Sequence, residues 1–430
     1  MARVLLVGQG PLPAADTPQT GFPQLRVDGI RRVLEGRGHA VDTLLVGSTP
    51  GLLDPHSDWE PLAQARTGEV SPDCVVSAGP YWPAAVATVC AGEALPLLVD
   101  VPGDPFAEAQ VKDSLNPELG GRATLETQAL WWPVLARGDA FLGVSKAQVA
   151  AILGQLGYMG RLPTMPAAYP WAHLAPVAHD FGMLPGAEPR GLEPGEPLRV
   201  LLAGGFNTWL DAPTLLEGLH QAMDSLPGLE VHVTGGGVVG HHEGAFADFH
   251  QGAMSGPHPH RFVFHGWVPN AALPAVVQGC HLLLSLDRPG VEPLLGSRTR
   301  LLFATHQGLA IASSVRTELA QELAAMGHLY PLEMGSPGAI AELLQRLTRQ
   351  GIDPERIRRA QAFLHRRYRG EEALGAVADW VSSPTRTPAF TDPNTQLASE
   401  VNRLRSELAR IHGSPTWRVS AKVKGLLKRD

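Results

Sequence analysis

The chain has 430 residues, of which 44% are hydrophobic and 18% are charged, so we expect a globular protein large enough for two domains with separate cores. The formal net charge of −7 argues against bulk binding of nucleic acid. No apolar run is close to the length of a membrane-spanning helix, which is about 18 residues, so we expect no membrane span. The amino terminus lacks a basic segment followed by an apolar one, so we expect no signal peptide.

The amino-terminal half alternates short apolar strands with helical segments. A strand from Arg3 to Gly8 runs into a glycine turn that contains Gly10, and an amphipathic helix from Val27 to Gly38 precedes a second strand from Ala40 to Val46. This alternation predicts βαβ units and a parallel sheet. The Gly8-x-Gly10 spacing lacks a third glycine, so a dinucleotide fingerprint and a structural tight turn explain it equally well.

Two aspartates follow the strand that spans residues 95 to 100. Asp100 ends this strand and Asp104 lies in the loop from Val101 to Pro105. Polar residues at the carboxyl ends of strands are commonly functional in open α/β sheets, which makes Asp104 a candidate catalytic residue. The alternative, which the sequence favours slightly, is that both aspartates cap turns.

A stretch rich in proline, glycine and acidic residues predicts a boundary between two domains. It covers residues 176–197 as a linker between a domain of residues 1–175 and a second domain of residues 198–350. The strand and glycine pattern restarts at Leu198, and its first turn contains Gly205 and Asn207. The second domain is therefore predicted to have the same layered α/β architecture as the first.

Histidines are concentrated in the next part of the second domain, between residues 232 and 265. Their spacing fits no metal-binding pattern, and neither cysteines nor paired acids accompany them, so we expect a solvated loop and no metal ion. The strand from Arg261 ends in a turn with Trp267 and Val268. From the residues alone, a plain core position is a sufficient interpretation of Trp267.

The segment of residues 290–308 is the strongest candidate for a binding site, because it combines glycines, a glutamate and two arginines between apolar strands. Ser297 is expected to cap a short helix that ends at Gly308, and Gly296 is expected to let the backbone approach a ligand. Arg298 and Arg300 lie in the first turn of that helix, where positive charge is unfavourable unless an anion neutralises it. We therefore expect a diphosphate held by loop amides and one or both guanidinium groups.

This order of glutamate, Gly-Ser-Arg, a helix that ends in glycine and an apolar strand resembles the donor-binding segment of GT-B glycosyltransferases. The resemblance implies two Rossmann-like, doubly wound α/β domains that face a central cleft, with retention of the sugar's configuration. It also implies transfer of a sugar from a nucleoside diphosphate to a polysaccharide, glycolipid or glycoprotein, with neither a metal ion nor another cofactor. The implied sites are Glu292 and Asp104 for catalysis, Gly10, Gly205, Asn207, Gly296, Ser297, Arg298 and Arg300 for the diphosphate and sugar, and Trp267 and Val268 for the base.

The sequence departs from this family in two places. Many relatives hold the diphosphate with an arginine and a lysine where this chain has Phe206 and Asp211. Many also carry two glutamates at positions that fall here on Leu295 and Phe303, so Glu292 can replace the first only if the loop is built differently. The rival hypotheses are a surface ion pair between Glu292 and Arg298, worth under about 1 kcal/mol, a sugar-nucleotide epimerase or hydrolase on the same fold, and a non-catalytic scaffold.

The carboxyl-terminal part contains three segments with different sequence patterns. Residues 351–382 resemble the helices that cross back to the first domain in the family. Residues 397–411 form a short heptad seam, which predicts either self-association or packing on the same chain. Residues 413–430 interleave basic and apolar side chains, as in an interfacial helix on anionic lipid and in the tails of bacterial surface-polysaccharide glycosyltransferases, although a solvated basic end is the alternative.

The three cysteines bear on the cellular location. They lie in apolar segments and their number is odd, so we expect buried, reduced thiols. This pattern and the basic tail together predict a cytoplasmic protein at the inner face of the membrane.

Overall fold

The computed structural model describes residues 1–14, 16, 21–47, 51–178, 186–238 and 244–391, together with residues 403, 404, 407, 408 and 410. The predicted basic tail of residues 413–430 lies outside the described residues, and so does most of the predicted heptad seam. No helix in the described ranges is both long and apolar enough to cross a membrane.

The first lobe is built on a sheet of six parallel strands in the order β2-β1-β3-β4-β5-β6. β1 pairs with β2 along its whole length, so that Val7 lies opposite Leu44, and with β3 on its other side. The strands are β1 (Arg3–Gln9), β2 (Ala40–Val46), β3 (Cys74–Ala78), β4 (Leu97–Val101), β5 (Ala140–Gly143) and β6 (Ala172–Leu174).

Helices cover both faces of this sheet, which is why its strands are continuously apolar. Alternate residues of β1 enter different cores, because Leu5 belongs to the cluster on one face and Leu6 to the cluster on the other. The helices are α1 (Phe22–Gly36), α2 (Glu60–Val70), α3 (Trp82–Ala91), α4 (Pro105–Leu115), α5 (Arg122–Arg137) and α6 (Lys146–Met159).

The second lobe repeats this plan with six parallel strands in the order β12-β11-β10-β7-β8-β9. Its strands are β7 (Arg199–Leu202), β8 (Glu230–Thr234), β9 (Phe262–Gly266), β10 (Leu282–Ser285), β11 (Ala310–Ser314) and β12 (Tyr330–Leu332). Its helices are α7 (Ala212–Ser225), α8 (Gly244–Ser255), α9 (Leu273–Val277), α10 (Glu292–Leu295), α11 (Thr299–His306), α12 (Glu318–Ala325) and α13 (Pro337–Gln350). The expected solvated loop in the histidine-rich region is wrong for α8, because Phe249 anchors that helix in the core.

Two further helices carry the chain from the second lobe back to the first. α14 (Pro354–Arg367) packs against α11, and α15 (Gly370–Ser382) packs against α1. The expected fold class, two doubly wound α/β units in one chain, is confirmed by the two sheets and their flanking helices.

The two lobes meet through segments that follow the carboxyl ends of their strands. α10 packs against α4 and α6, and the Ser145 hydroxyl donates to the carbonyl of Leu295 at 3.2 Å. The backbone N–H of Lys146 donates to Glu318 Oε2 at 2.6 Å, and the Asn270 side-chain amide donates to the carbonyl of Ala14 at 2.9 Å. In doubly wound folds ligands bind at this edge of the sheet, so the interface between the lobes is where a site is expected.

Candidate active site

Three buried charged side chains form one cluster on the second lobe. Asp287 follows β10, Glu292 begins α10, and Arg298 precedes α11; their exposed fractions are 2%, 2% and 4%. The Arg298 Nε donates to Asp287 Oδ1 at 2.7 Å, and its Nη1 and Nη2 donate to Glu292 Oε1 and Oε2 at 3.0 and 2.6 Å. This two-pronged pairing of a guanidinium with a carboxylate fixes the position of Glu292.

The surroundings of the cluster complete its hydrogen bonding. The Ser314 hydroxyl donates to Asp287 Oδ2 at 2.7 Å, and Arg298 lies 5.5 Å from the ring centre of Trp209. Gly296 makes room for the cluster, because a Cβ there would lie 2.8 Å from Glu292 Oε1. Burial opposes charge on Arg298, but the two carboxylates prevail and raise its pKa, whereas burial prevails for Glu292 and raises the pKa of that carboxyl group.

The start of α11 differs from the expectation in one respect. Arg298, with extended backbone, occupies the cap position and no side chain caps the helix, so the prediction that Ser297 is the cap is wrong. Arg298 instead donates four hydrogen bonds: one to Asp287, two to Glu292 and one to the carbonyl of Ser297. Its charge is neutralised by carboxylates of the chain itself, and its role towards a diphosphate stays a prediction.

Arg300, two positions further on, has a different environment. Its Nη2 donates to the carbonyl of Gly205 at 3.1 Å, and among the described residues it makes no salt bridge with a carboxylate. Burial and the neighbouring charge of Arg298 lower the pKa of Arg300 to about 10. A cation that is half-buried without an anion is a candidate to bind one.

Glycine turns and an aromatic ring lie at the same edge of the sheet as Arg300. A Cβ on Gly205 would lie 3.6 Å from the indole Cη2 of Trp267, and one on Gly236 would lie 3.2 Å from its Nε1. Trp267 and the next residue, Val268, are half-buried, so the alternative that Trp267 is a core residue does not describe it. The side-chain oxygen of Asn207 is buried and has no hydrogen-bond partner among the residues that the structure describes. Of the predicted residues, the fold therefore places Gly205, Trp267 and Arg300 together.

The predicted residues of the first lobe have local partners. Asp104 caps α4, where its Oδ1 accepts from the N–H of Ala107 and its Oδ2 from Gln155, each at 2.8 Å. The alternative that Asp104 is a capping residue is thus the one that the structure shows. The loop after β4 is one residue shorter than expected, because α4 already begins at Pro105. Gly10 lies at the end of β1, where its N–H donates to the carbonyl of Val46 at 3.0 Å. The hydrogen bonds of Gly10 in the described ranges go to Val46 and Gln24, and none joins it to the charged cluster.

Glu108, in the first turn of α4, was not a candidate in the sequence. Tyr81 donates its hydroxyl hydrogen to Glu108 Oε2 at 2.7 Å. Burial raises the pKa of Glu108 to about 7, the hydrogen bond from Tyr81 opposes this shift, and the charge of Glu292 adds to it. In the sequence Glu108 is one acid in a helix, and only the packing of α10 on α4 brings it near Glu292.

Neither a family model nor a curated protein matches the sequence. Among solved structures, HepE from Anabaena in complex with UDP and glucose superposes with a TM-score of 0.60 at 15% identity, over 89% of this chain and 100% of that one. Sucrose-phosphate synthase from Thermosynechococcus elongatus superposes with a TM-score of 0.56 at 14% identity, over 95% of this chain and 100% of that one. AviGT4, a glycosyltransferase involved in avilamycin A biosynthesis, superposes with a TM-score of 0.53 at 13% identity, over 89% of this chain and 97% of that one.

This chain has the GT-B fold. The expected GT-B resemblance is therefore confirmed for the architecture, over nearly the whole length of the chain. In a GT-B protein the edges described above face the cleft between the lobes. The described residues hold no group of three or more histidine, cysteine or acidic side chains that could bind a metal ion.

Proposed function

We propose that this GT-B chain is a glycosyltransferase that moves a sugar from a nucleoside diphosphate to a hydroxyl group of an acceptor. The observation that carries the proposal is Arg300, a half-buried cation beside the glycine turn at Gly205 that has no carboxylate partner in the described part of the chain. The solved relative HepE was crystallised with UDP and glucose, which supports a sugar nucleotide as the ligand of this site.

The donor would lie across the edge of the second sheet. Arg300 and the amides of the glycine turn contact the diphosphate, and Trp267 with Val268 lines the pocket for the base. Asn207 offers its unpaired oxygen to a donor hydroxyl or amine. Each of these groups binds a different part of the donor, so together they fix its orientation.

Glu292 would contact the sugar, because Arg298 holds it rigidly and each carboxylate oxygen retains a second lone pair. The two oxygens of Asp104 hold α4 and Gln155 in place, so the proposal gives this residue a supporting part. Glu292 thereby replaces the first of the two glutamates that the family resemblance led us to expect.

The chemistry requires a diphosphate that leaves with increasing negative charge. A guanidinium group fixed in a partly dehydrated site stabilises that charge more in the transition state than in the bound donor. Arg300 would supply this stabilisation without a metal ion. Retention of the sugar's configuration is the outcome that the resemblance implies, and NMR of the product anomer checks it.

Titration with a panel of nucleoside diphosphates and sugar nucleotides tests the donor site. We expect one nucleoside diphosphate to raise the melting temperature, since a ligand that binds only the folded state stabilises it. The Arg300→Leu variant should lose this shift, and Arg346→Leu, at an exposed position on α13, should keep it. A wild-type chain that no nucleotide stabilises would favour the non-catalytic scaffold.

Product analysis distinguishes the remaining alternatives. Release of nucleoside diphosphate only when an acceptor is added supports a transferase, and release into water alone supports a hydrolase. An isomerised sugar nucleotide without release supports an epimerase. The acceptor is proposed to be a polysaccharide, glycolipid or glycoprotein precursor at the inner membrane face. Pelleting with anionic liposomes tests the membrane association, by comparison of the full-length chain with a version that ends at Asn394.

A further inference from the structure

The carboxyl edge of the first sheet carries a group of aromatic rings that the donor site does not use. Trp82 is the first residue of α3, and Trp59 directly precedes α2. The ring centres of the two tryptophans are 6.3 Å apart, and the ring centre of His56 lies 6.0 Å from that of Trp82. Both pairs are in edge-to-face contact, and the three residues are called the aromatic cluster below.

The core uses the two tryptophans only in part. Both are half-buried, and each packs against buried side chains of the first lobe. His56 is exposed. Because a large aromatic ring gains most from complete burial, three rings that stay partly open to solvent at one place indicate a binding surface.

The backbone beside Trp82 has an unusual conformation. Tyr81 has φ 60° and ψ −126°, and residues other than glycine rarely adopt a positive φ. The Tyr81 hydroxyl donates to Glu108 Oε2 at 2.7 Å, and Lys112 Nζ lies 5.8 Å from the centre of its ring, so α4 fixes this side chain at two points. Strained conformations persist where the surrounding structure holds them, and they are concentrated at functional sites. Here the strained residue sets the position of Trp82.

The aromatic cluster begins across from the place that the proposed function gives to the donor sugar. The helix α4, which holds Tyr81, packs against α10, and Glu292 is the first residue of α10. Burial is the main cause of the raised pKa of Tyr81 and the charge of Glu292 adds to it, so the two side chains are near each other. From Tyr81 the cluster continues through Trp82 to Trp59, which follows β2, the edge strand of the sheet. A long molecule that extends from the donor sugar along this edge would meet both tryptophans.

Exposed carboxylates flank the outer tryptophan. Asp58 and Glu60 stand on either side of Trp59 in the chain, and residues 53–65 include neither lysine nor arginine. In the described ranges neither carboxylate lies at salt-bridge distance from a cation, so both can accept hydrogen bonds from a ligand. Their negative charge disfavours an anionic lipid surface or a phosphate group at this place.

A neutral saccharide matches both kinds of group on this surface. A face of a sugar ring presents C–H groups, which are apolar and slightly positive, whereas the face of an aromatic ring is negative. The hydroxyl groups at the rim of the sugar are hydrogen-bond donors, and carboxylates are strong acceptors for them. A lipid chain would cover the rings but would offer no donor to Asp58 or Glu60.

We propose that Trp82 and Trp59 stack against successive sugar units of a saccharide acceptor. Asp58 and Glu60 accept hydrogen bonds from the hydroxyl groups of the same saccharide. This inference rests on the proposed function and narrows it, because the part of the acceptor that the chain recognises is then a series of sugar rings and neither a lipid nor a peptide.

Isothermal titration calorimetry of the full chain tests saccharide binding directly. The probes are linear oligosaccharides of glucose, galactose, mannose and N-acetylglucosamine, together with the corresponding monosaccharides. Each is titrated alone and in the presence of UDP, GDP, ADP or dTDP. We expect at least one oligosaccharide to bind, and to bind more tightly than its monosaccharide, because it contacts both tryptophans.

Variants of the aromatic cluster identify the residues that bind. Leucine keeps the apolar packing against the core but has no aromatic face, so Trp82→Leu and Trp59→Leu should each weaken oligosaccharide binding about tenfold. Trp82→Phe keeps a ring and should retain most of the affinity, and Glu60→Gln should weaken binding a few-fold through loss of a charged acceptor. The controls are Tyr158→Ala, at a side chain of α6 that is 87% exposed, and Glu118→Gln, at an exposed glutamate of the same lobe, and both should match wild type.

The stabilisation by nucleoside diphosphate separates this inference from the proposed function. Every variant should keep the wild-type rise in melting temperature, because the aromatic cluster does not contact the nucleotide. Wild-type affinity in both leucine variants, or no oligosaccharide binding to wild type, would overturn the saccharide inference and leave the transferase standing. Pelleting with anionic liposomes that is lost in Trp82→Leu would overturn it in favour of a membrane contact. A chain that binds oligosaccharides through Trp82 but is stabilised by no nucleotide would support the saccharide site and overturn the transferase.

Discussion

Two arginines that are two positions apart serve the site in different ways. Arg298 is enclosed by Asp287 and Glu292, whereas Arg300 donates to the carbonyl of Gly205 and forms no salt bridge with any carboxylate of the described segments. A buried ion pair adds little net stability over an apolar replacement, but removal of one partner leaves an unpaired charge behind. The first arginine therefore holds the site together, and the second is the one that a bound anion would stabilise.

Substitution of each arginine by leucine should separate these roles. Arg298→Leu leaves two buried carboxylates without a cation, so we expect a loss of about 3–5 kcal/mol in the free energy of unfolding. Arg300→Leu loses one hydrogen bond and relieves a poorly solvated charge, so the change should stay within about 1 kcal/mol. Urea denaturation of both variants measures the two effects.

The matched control is Arg346→Leu, which removes an exposed charge from α13 and should leave the unfolding free energy within about 0.5 kcal/mol of wild type. If Arg298→Leu were as stable as wild type, the cluster would not determine the stability of the second lobe. Asp287 and Glu292 would then have to be neutral or hydrated in that variant.

At the scale of secondary structure, the sequence was most informative for the first two strands. The predicted bounds of β2 coincide with the structure, and β1 differs by a single residue. The strands β6 and β12 have three residues each, so their apolar pattern is too short to recognise. α8 was missed because His250 and Gly252 interrupt its apolar face, although Phe249 is enough to anchor it.

The individual residues of the second lobe were predictable from the sequence, whereas the contacts between them and the environment of Glu108 were not. Glycine turns at strand ends and the arginines before α11 are local signals, so Gly205 and Arg300 could be chosen from the sequence. The pairing of Arg298 with Asp287 and Glu292 depends on how the loop of residues 288–297 folds back, which has no local signature. Glu108 acquires its environment from Tyr81 and from the opposite lobe, and neither is close to it in sequence.

The segment after α15 is anchored to the first lobe by a buried polar network. Thr387 donates both its N–H and its hydroxyl to Asp139 Oδ1, at 2.8 and 2.7 Å, and Arg161 donates to the same hydroxyl at 3.0 Å. Asp139 is fully buried and also pairs with Arg137 and Arg386. A short extended segment thereby gains the fixed position that its own apolar content could not supply.

Thr387→Val should weaken this anchor, because it leaves a donor of Arg161 without an acceptor and removes one of the three hydrogen bonds to Asp139 Oδ1. We expect a loss of about 1–3 kcal/mol in the unfolding free energy, with faster hydrogen exchange in residues 384–391. Thr385→Val, at an exposed position of the same segment, is the matched control and should change neither quantity. Equal exchange rates in the two variants would show that the segment is held by other contacts.

For the whole molecule, the chain ties its two lobes together in more than one place. It passes from the first lobe to the second once, and α14 and α15 return it to α1. Between these connections α10 rests on α4, where the carboxyl groups of Glu108 and Glu292 lie on opposite lobes. Ionisation of Glu108 in this contact is opposed by burial and by the like charge of Glu292, so the folded, closed arrangement binds a proton that an exposed carboxyl group would release.

The stability of the protein should therefore depend on pH through Glu108 in a defined window. The pKa of Glu108 is raised from 4.5 to about 7 in the folded chain, so its favourable contribution is complete below about 4.5 and is lost as the pH rises through 7. Between pH 5 and pH 8, wild type should lose roughly 2–3 kcal/mol more unfolding free energy than Glu108→Gln, which cannot ionise at this position. Urea denaturation of both chains at the two pH values measures the difference, and Glu118→Gln should follow wild type. Parallel pH dependence in wild type and Glu108→Gln would mean that water, Tyr81 or a nearby cation offsets the burial of Glu108, so that its pKa is not raised in the folded protein.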